Sequence, residues 1–311
     1  MKQVLITGGA GFIGSHTADA LLSQGFAVRV LDNFSNGKHA NLDASALANG
    51  RLALVEGDMR DAAVTDAAVN GVDAVLHLAA QVSVPRSVAD PVESSTHNIA
   101  GFLNVLDAVR RHKVPRMVYA SSAAVYGVPE ALPLTEANTA KPMSPYGLEK
   151  LINDQYAALY LGLYGVSSVG MRYFNVYGPR QDPKSPYAGV ISKFADGLKG
   201  ANPLCVFGDG SQTRDFIYVG DVARANALAL QADVTGVLNV GTGTSVTLLE
   251  LIDAMKEAFG KPAQVHHKPP AHGDIAHSAT DPARLKQTLG WQPATTFVQG
   301  LRALAESLRN T

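Results

Sequence analysis

A tyrosine followed four residues later by a lysine, Tyr146 and Lys150 in Ser144-Pro145-Tyr146-Gly147-Leu148-Glu149-Lys150, is the pair in this sequence best suited to moving a proton. Behind Pro145, apolar Leu148, Leu151, Ile152 and Ala158 stand among polar residues in a helical pattern, so phenol and amine share one face a turn apart. A free tyrosine has a pKa of about 10, which leaves roughly one molecule in a thousand ionised at neutral pH. A neighbouring ammonium favours the phenolate, and a phenol tuned in this way can take the proton of an alcohol or sugar hydroxyl. Ordinary helices with an exposed lysine carry the same spacing, so its context must decide. That context begins with Ser121-Ser122, which follow Arg116–Ala120, a short apolar run that reads as a buried strand. A hydroxyl at the carboxyl end of such a strand lies where open α/β sheets bind ligands, within reach of the oxygen that Tyr146 deprotonates. Serines also cap helices and close turns, and Ser122 suits that role as well.

The elements that must position these groups begin at the N-terminus. Val4–Thr7 reads as a buried strand running into Gly8-Gly9-Ala10-Gly11-Phe12-Ile13-Gly14 and then a helix through Leu22. Gly9, Gly11 and Gly14 satisfy GxGxxG, and Gly8, Gly11 and Gly14 satisfy GxxGxxG. Glycines here let the backbone turn tightly and approach a pyrophosphate seated at the positive end of the helix. The next strand, Ala27–Leu31, ends in Asp32, eighteen residues past Gly14 and close to the spacing of an acid that binds the adenosine ribose hydroxyls. Its charge would repel a 2′-phosphate, so NAD is expected rather than NADP. Leu52–Asp58 reads as a third strand, with Asp58 placed to accept from an adenine amine or to begin the turn into Arg60-Asp61. Ala74–Ala80 is the fourth, with small residues where a flat ring fits; His77 within it reads as a core residue. Asn98 opens a long helix through His112. Strand and helix alternate through residue 172, which implies an α/β Rossmann fold: a doubly wound parallel sheet covered on both faces.

Composition narrows the function classes. The chain has 311 residues, 46% hydrophobic and 17% charged, with a net charge of −1 spread along its length. No basic tract invites nucleic acid, and no apolar run reaches the roughly 18 residues of a membrane span. Cys205 is the sole cysteine, which excludes an internal disulfide and fits a reducing compartment, so a cytoplasmic protein is expected. His266, His267, His272 and His277 lie in a Pro-rich stretch without a cysteine partner, and no metal site is expected there.

Several ordered motifs together resemble the extended short-chain dehydrogenase/reductases, and among them the UDP-hexose 4-epimerases. They are Gly8 to Gly14, Asp32, Asp58, Leu78-Ala79-Ala80, Ser121-Ser122, Tyr146 with Lys150, Arg172-Tyr173-Phe174-Asn175-Val176-Tyr177-Gly178-Pro179, and Gly210 through Asp221. The resemblance covers nearly the whole chain. It implies that Ser122 and Tyr146 flank a sugar 4-hydroxyl while Lys150 holds the nicotinamide ribose, and that C4 of a UDP-hexose is inverted through a transient 4-keto sugar. It also implies cofactor contacts from Phe12, Ile13, Asn33, Met59, Leu78, Ala79, Ala80, Gln81, Asn98, Ser121 and Tyr173. On the substrate side it implies Ser83, Asn175, Val190, Phe207, Arg214, Asp274 and Ser278, with Asn175 and Arg214 on the diphosphate and Val190 and Phe207 near the uracil.

Further implications concern organisation and specificity. Residues 1–172 with about 215–242 would form the NAD-binding domain, and about 173–214 with 243–311 a smaller α/β lobe for the UDP-sugar. The long helices from Asn98 and Tyr146 would pair across a two-fold axis in a homodimer. A common family arginine is replaced by Ala271, so that phosphate contact is either missing or supplied by His272 or Lys268. Ser278 stands where glucose-restricted relatives carry a tyrosine, so UDP-N-acetylhexosamines are expected to fit alongside UDP-glucose and UDP-galactose. Ala123 and Ala124 occupy places where dehydratases and decarboxylases carry an acid, which disfavours both. A UDP-glucuronate 4-epimerase, another NAD-dependent nucleotide-sugar dehydratase or decarboxylase, and a noncatalytic dinucleotide sensor are the remaining alternatives.

Overall fold

The computed structural model describes residues 2–182, 189–270 and 275–309. In chain order its strands are β1 (Gln3–Thr7), β2 (Ala27–Asp32), β3 (Leu52–Glu56), β4 (Ala74–His77), β5 (Met117–Ser122), β6 (Ser168–Tyr173), β7 (Asn175–Tyr177), β8 (Leu204–Phe207), β9 (Thr213–Tyr218), β10 (Gly236–Val240), β11 (Ser245–Thr247) and β12 (Val265–Lys268). Among the described residues seven of these form one sheet in the order β10-β6-β5-β4-β1-β2-β3, and every pairing in it is parallel.

Alternation along the strands explains why both faces are covered. Val4 and Ile6 of β1 point into a core shared with Ala18, Leu21 and Leu22 of the helix Phe12–Ser23 and with Val222 and Ala225 of the helix Val219–Gln231. Leu5, between them, points the other way, into a core with Val69, Phe102, Val105, Leu106, Val109 and Ala157. Each fully buried side chain of this size contributes about 1.5–3 kcal/mol, so a strand buried on both faces must read as a continuous apolar run. A separate core gathers Ile191, Phe194, Leu198, Leu251, Met255, Leu301 and Leu304. There β7, β9 and β11 form one small sheet, and β8 and β12 another. β10 returns from this region to pair with β6.

Several elements begin or end elsewhere than the sequence pattern suggests. β3 stops at Glu56 because Asp58 is already in the turn, its carbonyl accepting from Asp61 N at 3.0 Å. β4 stops at His77, and Leu78–Ala80 leave the sheet. β5 starts one residue late, at Met117, and runs on to Ser122, where it pairs with Tyr173 of β6. The helix expected from Asn98 begins earlier: Asp90 caps Glu93 N at 2.9 Å with Pro91 behind it, and the chain runs Pro91–Ser95, a wide π turn Thr96–Gly101, then Phe102–Arg111.

Candidate active site

Strand order reverses at β1, which is flanked by β2 on one side and β4 on the other, and a cleft of about 420 Å³ opens at the carboxyl ends of these strands. Its floor is the glycine turn. Gly8 has φ +70°, and a Cβ on it would lie 2.8 Å from Ala79 N; a Cβ on Gly14 would lie 2.2 Å from Gly8 O. Side chains at these positions would block the contact between the two strand ends and the close seat of the helix that starts at Phe12. Gly11 N donates to Gly8 O at 3.1 Å. The first N–H groups of that helix are left facing the cleft, the donor set a pyrophosphate needs.

At the far side of this floor Asp32 is buried, accepting from Ala10 N on Oδ2 and from Phe34 N on Oδ1, both at 2.9 Å. A Cβ on Gly37 would come within 2.8 Å of Asp32 Oδ1, so the loop after β2 crosses directly over the carboxylate. Asp58 lines the cleft and also makes the turn. Arg60 Nε at 3.0 Å, Arg60 Nη2 at 2.7 Å and Asn33 Nδ2 at 2.9 Å donate to it, and these bonds hold its carboxyl far below the usual range.

The reacting end is built by the helix Pro145–Tyr164, which Ser144 caps through Gly147 N at 3.1 Å with Pro145 in its first turn. Gly147 lets this helix close on the strand that carries Ser122: a Cβ there would lie 2.6 Å from Ala124 O. Ser122 ends β5, Tyr146 and Lys150 face it, and all three line the cleft. Lys150 is buried, donates to Ala120 O at 3.1 Å and has its Nζ 5.9 Å from the centre of the Tyr146 ring. Burial pushes the Tyr146 phenol above its ordinary pKa, while hydrogen bonding with Ser122 pulls it down. Burial also lowers the Lys150 pKa to about 8, with Asp154 and then Glu149 opposing the drop. From spacing alone the lysine is expected to acidify the tyrosine; in the structure burial is the largest influence on both, and the pull that lowers the phenol comes from Ser122.

The structure brings together Gly8, Gly11, Phe12, Ile13, Gly14, Asp32, Asn33, Asp58, Met59, Leu78, Ala79, Ala80, Ser121 and Tyr173 along the same cleft. Gln81 and Asn98, expected beside them, do not line it. Asn98 Oδ1 accepts from Gln81 N at 2.9 Å and its Nδ2 donates to Gln81 O at 2.8 Å, so the pair ties the loop after β4 to the π turn. The same Asn98 amide donates at 2.6 Å to Glu149 Oε2, which also accepts from Ser94 Oγ at 2.9 Å. Ser83 is a helix cap, accepting from Arg86 N at 3.0 Å, and does not line the cleft. His77 is the core residue expected, buried, 2.8 Å from Thr7 Oγ1, its pKa pushed down to about 3 by burial.

Of the expected sugar-side residues, Asn175, Val190, Phe207, Arg214 and Ser278 are not among those lining this cleft. Asn175 Nδ2 donates to Asp215 O at 3.0 Å. Ser278 N donates to Thr213 O at 3.1 Å, Thr213 N to Ala276 O at 3.0 Å, and Arg214 Nη1 to Ala276 O at 3.3 Å, so Arg214 and Ser278 meet through main-chain pairing. Ser278 is half-buried. Val190 starts the helix Val190–Gly200, and Phe207 is exposed with the Lys268 ammonium 6.0 Å from its ring centre. Asp274, Ala271 and His272 lie outside the described residues. Ser35, Asn36 and Gly37 line the cleft without having been expected there from sequence, and so do Val82, His97, Arg180, Gln181 and Asp182. The loop directly after Asp32 carried a readable signal, its Gly and Ser content; the others are brought in by the fold alone. No cluster of three or more His, Cys, Asp or Glu side chains suited to a metal ion occurs among the described residues, and no described helix is long and apolar enough to cross a membrane.

Residues 4–241 match the model of the NAD dependent epimerase/dehydratase family. The chain is 38% identical over 311 residues to a UDP-glucose 4-epimerase of Mycolicibacterium smegmatis, covering 99% of each. Among solved structures it is similar to a UDP-N-acetylglucosamine 4-epimerase from Methanobrevibacter ruminantium M1 in complex with UDP-N-acetylmuramic acid, at 37% identity and a TM-score of 0.95 over 99% of this chain and 98% of that one. It is also similar to the UDP-glucose 4-epimerase of Thermus thermophilus in complex with NAD, at 40% identity and a TM-score of 0.91 over 99% of each chain.

Proposed function

The chain belongs to the NAD dependent epimerase/dehydratase family, and from that premise we propose that it inverts C4 of a UDP-hexose, with NAD as its cofactor and a 4-keto sugar as the transient species. The observation that carries this reading is the convergence of Ser122, Tyr146 and Lys150 at one end of a cleft whose other end is the glycine turn and Asp32.

The residues fit a dinucleotide. Glycine at positions 8 and 14 lets the strand ends and the helix start pack tightly, which brings the helix N-terminus to the cleft floor where a pyrophosphate would sit, and Asp32 offers a buried carboxylate to ribose hydroxyls. NAD, when bound, accepts hydride from the sugar carbon and gives it back. Tyr146 takes the 4-hydroxyl proton as that carbon is oxidised, and Ser122 holds the same oxygen by hydrogen bonding. The Lys150 ammonium favours the phenolate over the phenol. Once the keto sugar has turned its other face inward, Tyr146 returns the proton. Start and finish have the same oxidation state, so no external reductant is consumed. Ala123 and Ala124, in the turn that follows Ser122, offer no acid to expel a hydroxyl, which favours epimerisation over dehydration.

Two finer assignments belong to this reading. A small serine rather than a tyrosine at 278, and the similarity to a UDP-N-acetylglucosamine 4-epimerase, support UDP-GlcNAc and UDP-GalNAc as substrates beside UDP-glucose and UDP-galactose. Exposed Val88, Val92, Leu148, Leu159 and Leu163 on and beside the Tyr146 helix support a homodimer that covers them. A free, exposed Cys205 suits the reducing cytoplasm. The deciding assay follows UDP-glucose, UDP-N-acetylglucosamine and UDP-glucuronate side by side with added NAD. Interconversion of 4-epimers is expected for the first two. Turnover confined to UDP-glucuronate would replace the substrate assignment, and NAD binding with no turnover of any would leave a sensor.

A further inference from the structure

Asp154 stands one helical turn beyond Lys150, buried and behind the cleft wall rather than on it. Four donors converge on its carboxylate. Tyr119 OH donates to Oδ1 at 3.1 Å; Ser121 Oγ at 3.1 Å, Arg172 Nε at 3.1 Å and Arg172 Nη2 at 3.0 Å donate to Oδ2. Tyr119 and Ser121 belong to β5, whose last residue is Ser122. Arg172 belongs to β6 and directly precedes Tyr173, which lines the cleft. Gly170 on β6 leaves the space for this arrangement: a Cβ there would lie 2.6 Å from the Tyr119 hydroxyl oxygen. Arg172 Nη1 donates onward to Tyr126 OH at 2.9 Å, and Tyr126 OH donates to Asn239 Oδ1 at 2.6 Å on β10.

We infer that Asp154 is a positioning residue for the proposed epimerisation, its carboxylate tying the strand end that carries Ser122 and the strand that carries Tyr173 to the helix that carries Tyr146 and Lys150. The inference rests on the reading of Tyr146 and Ser122 as the reacting pair. A carboxylate needed only to neutralise Arg172 would not have to reach β5, yet two of its four donors come from there. Ser121 adjoins Ser122, and Tyr119 lies three residues before it. A hydroxyl and a phenol that must grip one substrate oxygen tolerate little relative movement, and a displacement of about 1 Å can cost about a hundredfold in rate.

The carboxylate has a second effect, on charge. The groups around the Lys150 ammonium are Tyr146, Glu149 and Asp154 on its own helix and His77 on β4, with Tyr119 on β5 and Arg172 on β6 behind Asp154. Asp154 is the larger of the two influences that keep the lysine charged against burial. His77 is neutral in this range, since its pKa is about 3. Lysine holds its proton below its pKa and loses it above, so removing the Asp154 charge makes that loss begin at lower pH.

The test is Asp154→Asn in the full-length chain, with Tyr146→Phe as the control for the underlying reading. Asp154→Asn is expected to lower kcat by about ten- to a hundredfold, leave KM for the UDP-sugar within about threefold, and move the alkaline limb of the kcat/KM profile to lower pH. Asp154→Glu restores the charge at a changed distance and should return the limb toward its original pH even where kcat stays low. A folded Asp154→Asn with unchanged kcat and unchanged limb overturns the inference. If Asp154→Asn does not fold, Tyr119→Phe decides, since Tyr119 is buried and does not line the cleft. It removes one tie and keeps the carboxylate, so a fall in kcat without movement of the limb supports the inference and an unchanged kcat overturns it. Full activity in Tyr146→Phe would instead mean that the reading of the reacting pair has failed.

Discussion

The two ends of this active-site region are held by different kinds of bond. At the reacting end, Lys150, Asp154, Glu149 and Arg172 are all buried, and side-chain hydrogen bonds cross-link one helix to two strands. At the sugar end, Arg214 and Ser278 are brought together by main-chain bonds between Thr213 and residues 276–278, and the surrounding side chains are half-buried or exposed. The first arrangement demands particular residues, since an unpaired buried charge is costly. The second leans mainly on backbone pairing, with the Arg214 guanidinium joining it at Ala276 O. In the proposed reading these side chains set which sugar fits, which makes chemistry and specificity separable.

The largest effect should come from the reacting end. Tyr146→Phe keeps the ring and its packing and removes the acid–base group, so kcat should fall by about a hundred- to ten-thousandfold while the circular dichroism spectrum is retained. A comparable kcat loss from a sugar-end substitution that leaves the fold intact would break the comparison.

Next is Ser278→Tyr, which should cut turnover of UDP-N-acetylglucosamine by about ten- to a hundredfold, a steric effect of about 1–3 kcal/mol, and spare UDP-glucose. Equal loss on both sugars would show that position 278 reaches the chemistry.

The pH profile offers a third test. The Lys150 pKa of about 8 in the free protein means its charge is present below that pH and lost above it, so kcat/KM should be halved near it and fall about tenfold per unit beyond. Ser278→Tyr should leave that limb in place, because it changes no charge near the lysine. A limb that moves with the sugar-end variant would couple the two ends.

The smallest effect belongs to Lys38→Ala. Its ion pair with Asp182 spans 4.0 Å between side chains that are 60% and 44% exposed, and such pairs contribute about 0–1 kcal/mol, less in salt. A shift of the melting temperature beyond a degree or two would mark the loop after β2 as more than a solvated flap over the cleft.

What could be read from the sequence was whatever local geometry encodes. The glycine turn, the acid at the end of β2 and the Ser144-Pro145 start of the Tyr146 helix all lie within a few residues of their partners, and the structure has each where spacing puts it. The Asp90-Pro91 start was equally local and was passed over in favour of Asn98, whose side chain is engaged with Gln81 and Glu149 across the widened turn. Gln81, Asn98 and Ser83 were expected at ligands and instead serve loop and cap, because a polar side chain near a site satisfies the nearest donor or acceptor first. Glu149 and Asp154 drew no attention at all. On a helical wheel they look like ordinary acids, and nothing in the pattern says that they point inward.

By itself, then, the order of residues determined the parallel sheet, the phosphate-binding turn and the helix that sets a lysine one turn from a tyrosine, because periodicity and turn chemistry act over short stretches of chain. Only the tertiary structure decided that Tyr119, Ser121 and Arg172 converge on Asp154, that Ser278 pairs beside Arg214, and that burial outweighs charge in setting the protonation of Tyr146 and Lys150. Those outcomes depend on how far each group is removed from water and on what distant strand lies against it. Neither quantity exists until the chain has closed on itself.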